Sequence, residues 1–394
     1  MIDNDTVVLL LFSQYANVLS IVIPTSNAED TIGELLESIK AQDFHDDYEV
    51  IIIDNGSKDK TEEIVKKYID HLPIRYYKYE EKLGHAGAIN EGISKAKGEY
   101  ILILHDDLVL GDRDWISVML ETVKKDERIG IASSLFITPV KKLRSTVNKI
   151  FSYIYILGWH DKVPNLPIME VLYSGLNNDL IRREVIEKVG LLDNSYKYGM
   201  HDIDFAERVR RAGYKIVLNP KVHVEHLLSY YQKSLKSHLV KAWQYGFPSA
   251  IILKRYKYLP NLDNLIYFLS VFFFLLSFFL PFYPLLFFVI LLSLLTFPLE
   301  QPNFYKKNKY VIRAKKIAIG YLLGAIAYLI FHPLFFLAIG GSVILYRTVT
   351  SALISYKELR NLKVTLGVIL LYPIWTLING SSVLSGILKF IFTK

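Results

Sequence analysis

Cysteine is absent from all 394 residues. Disulfides, thiolate metal sites and thiol nucleophiles are therefore excluded, and any metal must be held by oxygen or nitrogen. Acidic residues are nearly absent from the C-terminal third. Residues 261–394 hold 3 Asp/Glu against 12 Lys/Arg, whereas residues 1–260 hold 36 against 34. The formal charge of +7 thus belongs to the tail and not to a folded basic face, which argues against nucleic acid as a partner. Charge of either sign is missing from residues 264–298, 317–346 and 364–388. These runs are too long and too apolar for ordinary core helices and are expected to span a membrane. No internal repeat or low-complexity stretch is present apart from this apolar tail. A basic segment is also missing before "VVLLLF" (7–12), where Asp3 and Asp5 stand instead. Residues 1–17 therefore lack the pattern of a clear signal peptide and read as a short flanking segment; a poorly defined start would read the same way.

The apolar tail sets the expected topology. One crossing needs about 20 residues. The run 264–298 is broken by "PFYP", from Pro281 to Pro284, and reads as a tight hairpin. The run 317–346 carries His332–Pro333 near its middle, and 364–388 can cross once. Four or five spans are expected over 263–394. Lysine and arginine concentrate in Lys306–Lys316 and Arg347–Lys363, which places those loops in the cytoplasm by the positive-inside rule. The basic, aromatic stretch Tyr230–Tyr258 has Tyr231, Leu235, Leu239 and Ala242 at helical spacing. Residues 229–262 read as amphipathic helices on the membrane surface; a basic helix packed on the globular domain is the alternative.

The first 260 residues alternate strand and helix. Val18–Pro24 and Glu49–Asp54 are buried strands by branching and length. Ile32, Leu35, Leu36 and Ile39 mark a helix between them. Asp59 with Glu62 predicts a capping box opening "TEEIVKKYID". "IRYYKYE" predicts a third strand, "GHAGAINEGISKAKG" a helix stopped at Gly98, and Tyr100–Leu104 a fourth strand. This alternation predicts a parallel, doubly wound sheet. Trp115–Val123 predicts another helix. "LIRREVIEKVG" reads as a helix, followed by a loop, the helix beginning near Asp202 and Asp204, and a strand at 215–218. Ligands of such sheets bind beyond the carboxyl ends of the strands. Thr25, Asp54 and the pair Asp106–Asp107 all fall there, so they can face one crevice.

Two adjacent aspartates at a strand end repel one another, and a divalent cation removes that cost. Mg2+ and Mn2+ prefer oxygen ligands and bridge a carboxylate to a diphosphate. Asp107 is the candidate metal ligand, with Asp106 facing a ribose or sharing the ion; a solvated turn would give the same dipeptide. Asp54, followed by "NGSKD", can accept a base N–H or close a turn. In "HDIDFAERVRRAGY", Asp202 and Asp204 precede a helix and can cap it, and Asp202 can also take a proton from an acceptor hydroxyl. His226, a few residues after the strand at 215–218, is structural or, beside a cation, a ligand.

The ordered set "IVIPTSN", "IIIDNGSKD", "GHAGAIN", "LHDDL" and "GMHDIDFAERVRRAGY" resembles glycosyltransferase family 2, over roughly residues 18–226. The resemblance implies a GT-A domain at 18–228, an α/β fold with a Rossmann-like mixed sheet, followed by an α-helical transmembrane region. It implies that Thr25 and Asp54 bind the nucleobase and its surroundings, that Lys82 lies near the diphosphate and that Asp106 touches the ribose. Asp107 would hold Mg2+ or Mn2+, Asp202 would be the catalytic base, and His226 matches a histidine found after the last strand of many members. Four positions depart from the family pattern. Ser26 stands for a frequent tyrosine and Ala28 for a glutamate of some members. His105 replaces the first acid of the metal motif, and His201 replaces the glutamate before the base.

The expected activity is inverting, metal-dependent, non-processive transfer from a nucleotide-diphospho-sugar to a hydroxyl of a lipid-linked or membrane-proximal glycan acceptor. The expected location is the cell membrane, with several passes and the catalytic domain in the cytoplasm. A polyprenyl-phosphate sugar synthase shares the fold but needs no general base, so the Asp202 motif speaks against it. The Gln-x-x-Arg-Trp motif of processive synthases is absent. Retention of Asp54, Asp107 and Asp202 together discriminates against a catalytically dead scaffold, in which drift would not spare all three.

Overall fold

The computed structural model describes residues 17–143, 145–154, 159–196, 199–227, 234–276 and 334–392. The expected flanking segment up to residue 16, the "PFYP" hairpin and the basic loop Lys306–Lys316 lie outside the described residues. The chain divides into two compact units, Met1–Asn148 with Leu157–Lys233, and Lys149–Ile156 with Ser234–Lys394.

The first unit begins β1 (Asn17–Thr25), α1 (Ile32–Lys40), β2 (Tyr48–Asn55), α2 (Thr61–Lys66), β3 (Ile74–Tyr79), α3 (Gly84–Lys95) and β4 (Gly98–Leu104). It continues with β5 (Leu108–Leu110), α4 (Trp115–Lys124) and β6 (Ile129–Thr138). The helix α5 (Thr146–Ile154) straddles the two units. After it come β7 (Trp159–His160), β8 (Met169–Val171), β9 (Asn178–Arg182), α6 (Arg183–Val189), α7 (His201–Arg211) and β10 (Lys215–His226). The sheet order is β3-β2-β1-β4-β9-β6-β10-β5, with β7 beside β6 and β8 beside β10.

Parallel strands covered on both faces read as continuous apolar runs. In β2 every residue from Glu49 to Asp54 is buried. One face gathers Ile21, Ile23, Ile52 and Leu102 against Leu35 and Leu36 of α1 and Trp115 of α4. The other gathers Val22, Ile51, Ile53 and Ile103 against Ala88 and Ile89 of α3 and Phe205 of α7.

The structure corrects several local expectations. The sheet is mixed, as the family resemblance implies, and not parallel throughout, as the alternation alone predicts, because β9 enters antiparallel to both β4 and β6. Leu180–Arg182 belongs to that strand, and the helix starts only at Arg183. Gly98 does not stop α3. It opens β4, where a Cβ would lie 2.6 Å from the Ser20 backbone nitrogen, so only glycine lets the two strands approach. The Asp59–Glu62 capping box does not form. Asp59 accepts from the Thr61 and Glu29 backbone N–H groups, while Glu62 pairs with Lys66 and Lys78. The last strand runs on to His226, with a register shift between Asn219 and His223. Pro220 in that interval has no N–H to give the ladder, which explains why a shorter strand was expected. Asp202 and Asp204 lie within the first turn of α7 instead of before it.

The second unit contains α8 (Leu235–Gly246), α9 (Ser249–Tyr256), α10 (Leu262–Leu276), α11 (Leu334–Leu359) and α12 (Leu362–Phe392). Its surface inverts the soluble pattern. Leu345, Leu353 and Leu370 are 64%, 65% and 66% exposed, whereas Thr376, Asn379 and Ser382 are fully buried. Large apolar side chains facing out and polar ones facing in suit a hydrocarbon solvent. Asn379 donates to the Ala242 carbonyl at 2.7 Å and accepts from Asn264 at 2.8 Å. At Gly380 a Cβ would meet the Asn264 carbonyl, so the helices touch through backbone. Among the described residues one helix, Leu362–Lys389, is long and apolar enough to cross a membrane, close to the expected run 364–388. In α8 the buried residues are His238, Ala242 and Gly246, whereas Leu235, Val240 and Trp243 are exposed.

Candidate active site

The loops after β1, β2 and β4 build the site. Parallel register sets Thr25 beside Asp54, so both emerge at the same sheet edge. The two loops then lock together. The Asn27 N–H donates to Ser57 Oγ at 2.8 Å, and the Lys58 N–H donates to Asn27 Oδ1 at 2.8 Å. Asn27 adopts a left-handed φ of 50°, a conformation asparagine tolerates better than most residues. Asp54 is fully buried. It accepts from the Ser57 N–H at 2.7 Å and from the Tyr76 hydroxyl. Burial, and then the Asp54 charge, push the Tyr76 phenol above its ordinary range, so it stays a donor.

Asp106 is bound to the end of β1. Thr25 Oγ1 donates to Asp106 Oδ2 at 2.8 Å, and the Ser26 N–H donates to the same oxygen at 3.1 Å. These bonds favour the carboxylate, but burial and then the Asp107 charge outweigh them and push its pKa up to about 7. A bound cation would reverse that balance.

Asp107 meets His226. The antiparallel pairing of β5 with β10 sets Leu108 opposite His226, and His226 Nε2 lies 3.1 Å from Asp107 Oδ2. The ring packs on Phe136 at 4.6 Å, and its Nδ1 is buried without a hydrogen-bond partner among the described residues. Two donors on adjacent corners of an octahedron with bonds of about 2.1 Å stand ~3.0 Å apart, so the pair fits a small divalent cation. Among the described residues no group of three or more acidic or histidine side chains is placed to hold a metal. The remaining positions would fall to diphosphate oxygens and water, as Mg2+ and Mn2+ prefer.

The two acids of α7 have different surroundings. Asp204 is fully buried, 3.0 Å from Arg208 Nε, and accepts from the Tyr196 hydroxyl at 3.2 Å. Asp202 retains access to solvent. Burial pushes its carboxyl above the ordinary range, against the His201 charge, which acts the other way. It therefore combines partial access to solvent with raised basicity, the properties a proton acceptor needs. Lys82 lies exposed in the loop before α3, its Cγ 3.6 Å from where a Gly56 Cβ would sit. That places it by the Asp54 loop; no contact ties it to the carboxylates among the described residues.

Two residues were missed in the sequence. Asp179 on β9 is fully buried, and the Ser133 and Ser174 hydroxyls and the Leu176 N–H lie close enough to favour its carboxylate without closing well-aligned hydrogen bonds. Burial, with a smaller contribution from the Asp202 charge, raises its pKa to about 6. The ring of His85, inside the quoted "GHAGAIN", lies edge-on 4.7 Å from His105 and tilted 5.2 Å from His201. An acid inside a buried strand was the available signal for Asp179; nothing in the spacing singled out His85.

A Rossmann-like parallel half, extended by an antiparallel insertion and carrying Thr25 at the end of its first strand and acids at the ends of its second and fourth, is the GT-A fold of nucleotide-sugar transferases. Residues 20–190 match the profile of Glycosyl transferase family 2, and the chain carries a domain of that family. It is 27% identical over 218 residues to a poly-beta-1,6-N-acetyl-D-glucosamine synthase of Staphylococcus epidermidis, covering 54% of this chain and 51% of the relative. It is 26% identical over 252 residues to a dolichyl N-acetyl-alpha-D-glucosaminyl phosphate 3-beta-D-2,3-diacetamido-2,3-dideoxy-beta-D-glucuronosyltransferase of Methanococcus voltae, covering 61% and 75%. A mannosyltransferase from Pyrobaculum calidifontis, solved with GDP-Man and Mn2+, superposes with a TM-score of 0.49 at 16% identity, covering 96% of this chain and 88% of that one. The matched region spans 65% and 51% of the lengths of the first relatives it aligns with.

Proposed function

We propose that the protein is an inverting, metal-dependent, non-processive glycosyltransferase. It moves a sugar from a nucleoside diphosphate to a hydroxyl of a lipid-linked or membrane-proximal glycan during cell-surface glycan assembly. The observation that carries this reading is the meeting of Thr25 with Asp106 and of Asp107 with His226, together with the partly accessible Asp202 in the first turn of α7.

The roles follow from position. Thr25 and Asp54 face the nucleobase, Asp106 the ribose, and Lys82 the diphosphate. Asp107 and His226 would hold Mg2+ or Mn2+, which when bound stabilises charge on the departing diphosphate. Asp202 takes the proton of the acceptor hydroxyl as that oxygen attacks the anomeric carbon. The C–O bond to the nucleoside diphosphate breaks on the opposite face, so configuration inverts. The raised Asp202 pKa moves the carboxylate toward the operating pH, where proton abstraction is most effective.

The membrane-facing half of the reading is a proposal of the same kind. The inverted surface of the second unit and the membrane-length Leu362–Lys389 support anchoring. Exposed Leu235, Val240 and Trp243 beside Lys236 and Lys241 support α8 lying in the headgroup layer. We place several spans across the cell membrane, with the catalytic domain and basic loops on the cytoplasmic side, where nucleotide sugars are made. The relative named for a dolichyl phosphate-linked substrate supports a lipid-linked acceptor.

The test is a panel of UDP- and GDP-sugars with the full chain in detergent and Mn2+. Protection against heating by one donor, loss of that protection with EDTA, and its loss in Asp107→Asn are expected. No protection by any donor, or unchanged protection in Asp107→Asn, would overturn the reading.

A further inference from the structure

Three imidazoles from three separate elements converge inside the site. His85 is in the first turn of α3, His105 follows β4, and His201 opens α7. The His85 ring lies 4.7 Å from His105, nearly perpendicular, and 5.2 Å from His201. His85 and His105 keep partial access to solvent. His201 is 7% exposed, and its Nδ1 has no hydrogen-bond partner among the described residues.

Two helix N-termini meet at this cluster, those of α3 and α7. Each starts at a left-handed residue: Gly84, at φ 76°, is the first residue of α3, and Met200, at φ 68°, immediately precedes α7. Helix N-termini present unpaired N–H groups and the positive end of the dipole, which favour an anion. Imidazole N–H groups add donors without needing a charge. Two of the three rings also stand where the family resemblance implies carboxylates, so this corner carries two fewer negative charges than the family pattern. Burial keeps the His201 imidazole below its ordinary pKa, as expected of a neutral donor.

The chain neighbours of the cluster, taken with the roles proposed above, indicate the group it faces. His105 is two residues before Asp107, on the diphosphate side, and His201 directly precedes Asp202, on the acceptor side. The reacting sugar lies between diphosphate and base. We propose that His85, His105 and His201 form a subsite for an anionic substituent on the transferred sugar, a carboxylate at C6, so that the donor is a nucleotide-linked uronic acid. The inference rests on the donor-site reading above and adds to it the class of sugar.

The test measures binding by calorimetry on the full chain in detergent with Mn2+. UDP and GDP alone first establish which nucleotide the site accepts. UDP-glucose against UDP-glucuronate, or GDP-mannose against GDP-mannuronate, then differ only in a CH2OH or a carboxylate at C6. The uronate is expected to bind about tenfold more tightly or better, on the usual strength of hydrogen bonds to a charged group. That ratio should fall below one in His201→Glu and in His85→Glu, and largely survive in His201→Gln, which keeps an N–H donor. Nucleotide binding by each variant reports its fold. If neither UDP nor GDP binds, the donor-site reading falls and the subsite with it. If a nucleotide binds but the uronate is not preferred, or the preference survives both glutamate variants, the subsite is overturned while the donor site stands.

Discussion

His226 Nε2 lies 3.1 Å from Asp107 Oδ2, although 119 residues separate them in the chain. The contact depends on a strand that is long enough. β10 carries its register shift at Pro220 and still reaches Leu108 of β5 with its last residue. The metal-motif acid is thereby given a partner from the far side of the sheet. Asp107→Asn should reduce Mn2+-dependent sugar transfer about a hundredfold or more, and His226→Ala should weaken Mn2+ affinity about 10–100-fold. Titrating activity with Mn2+ separates the two. A His226→Ala enzyme saturating at the wild-type Mn2+ concentration would remove the histidine from the metal site.

The neighbouring acids Asp202 and Asp204 should respond to the same substitution in opposite ways. Asp202→Asn should lower kcat by about 10²–10⁴ with donor affinity unchanged within about twofold, and should leave the melting temperature near wild type. Asp204→Asn removes the charged partner of Arg208, which keeps the Val189, Gly190 and Leu191 carbonyls; the loss is expected to cost about 1–3 kcal/mol of stability. Kinetics and melting curves on both variants distinguish base from strut. A Asp202→Asn enzyme at full rate would show that another group takes the proton.

The buried carboxyls predict how stability varies with pH in the cation-free protein. Asp106 rises from an ordinary 3.8 to about 7 and Asp179 to about 6. Between about pH 4 and 7 the folded state therefore holds more protons than the unfolded one, and stability falls as pH rises through that window. His201, held low by burial, opposes part of this trend. In EDTA the melting temperature should decline from pH 5 to pH 7, and Mn2+ should raise it more at pH 8 than at pH 5. A melting temperature that climbs steadily over this range would mean that these acids ionise normally.

The sequence carried the fold well where one element obeyed one period. The first four strands, α1 and the carboxylates beyond the strand ends were legible because buried parallel strands are continuous apolar runs and α1 keeps helical spacing. Legibility failed where residues did two jobs. Leu180–Arg182 is both strand end and helix entry, so its charged pair Arg182–Arg183 disguised an antiparallel strand and hid Asp179 inside it. Pro220 made a continuous strand look interrupted. The histidine cluster was invisible for a different reason: ring proximity across three elements has no linear signature, and only the acids missing at 105 and 201 hinted at it.

The exposed face of α12 gives a prediction that separates a lipid-facing helix from a soluble one. Leu370 is 66% exposed, and Asn379 is buried with two hydrogen bonds. In water, Leu370→Glu would be nearly neutral, within about ±0.5 kcal/mol. In a bilayer, an acid near the helix centre costs roughly 2.5–3.5 kcal/mol on the insertion scale. Wild type should therefore stay in the membrane pellet through high-salt and alkaline carbonate washes, while Leu370→Glu lowers the membrane-integrated yield. Asn379→Leu should act the other way around, keeping its insertion but loosening the packing of α12 on α8 and α10, because it strips the Ala242 carbonyl and Asn264 of a partner. A Leu370→Glu protein recovered from membranes at wild-type yield, or a wild type released by carbonate, would assign α12 to the interior of a soluble assembly.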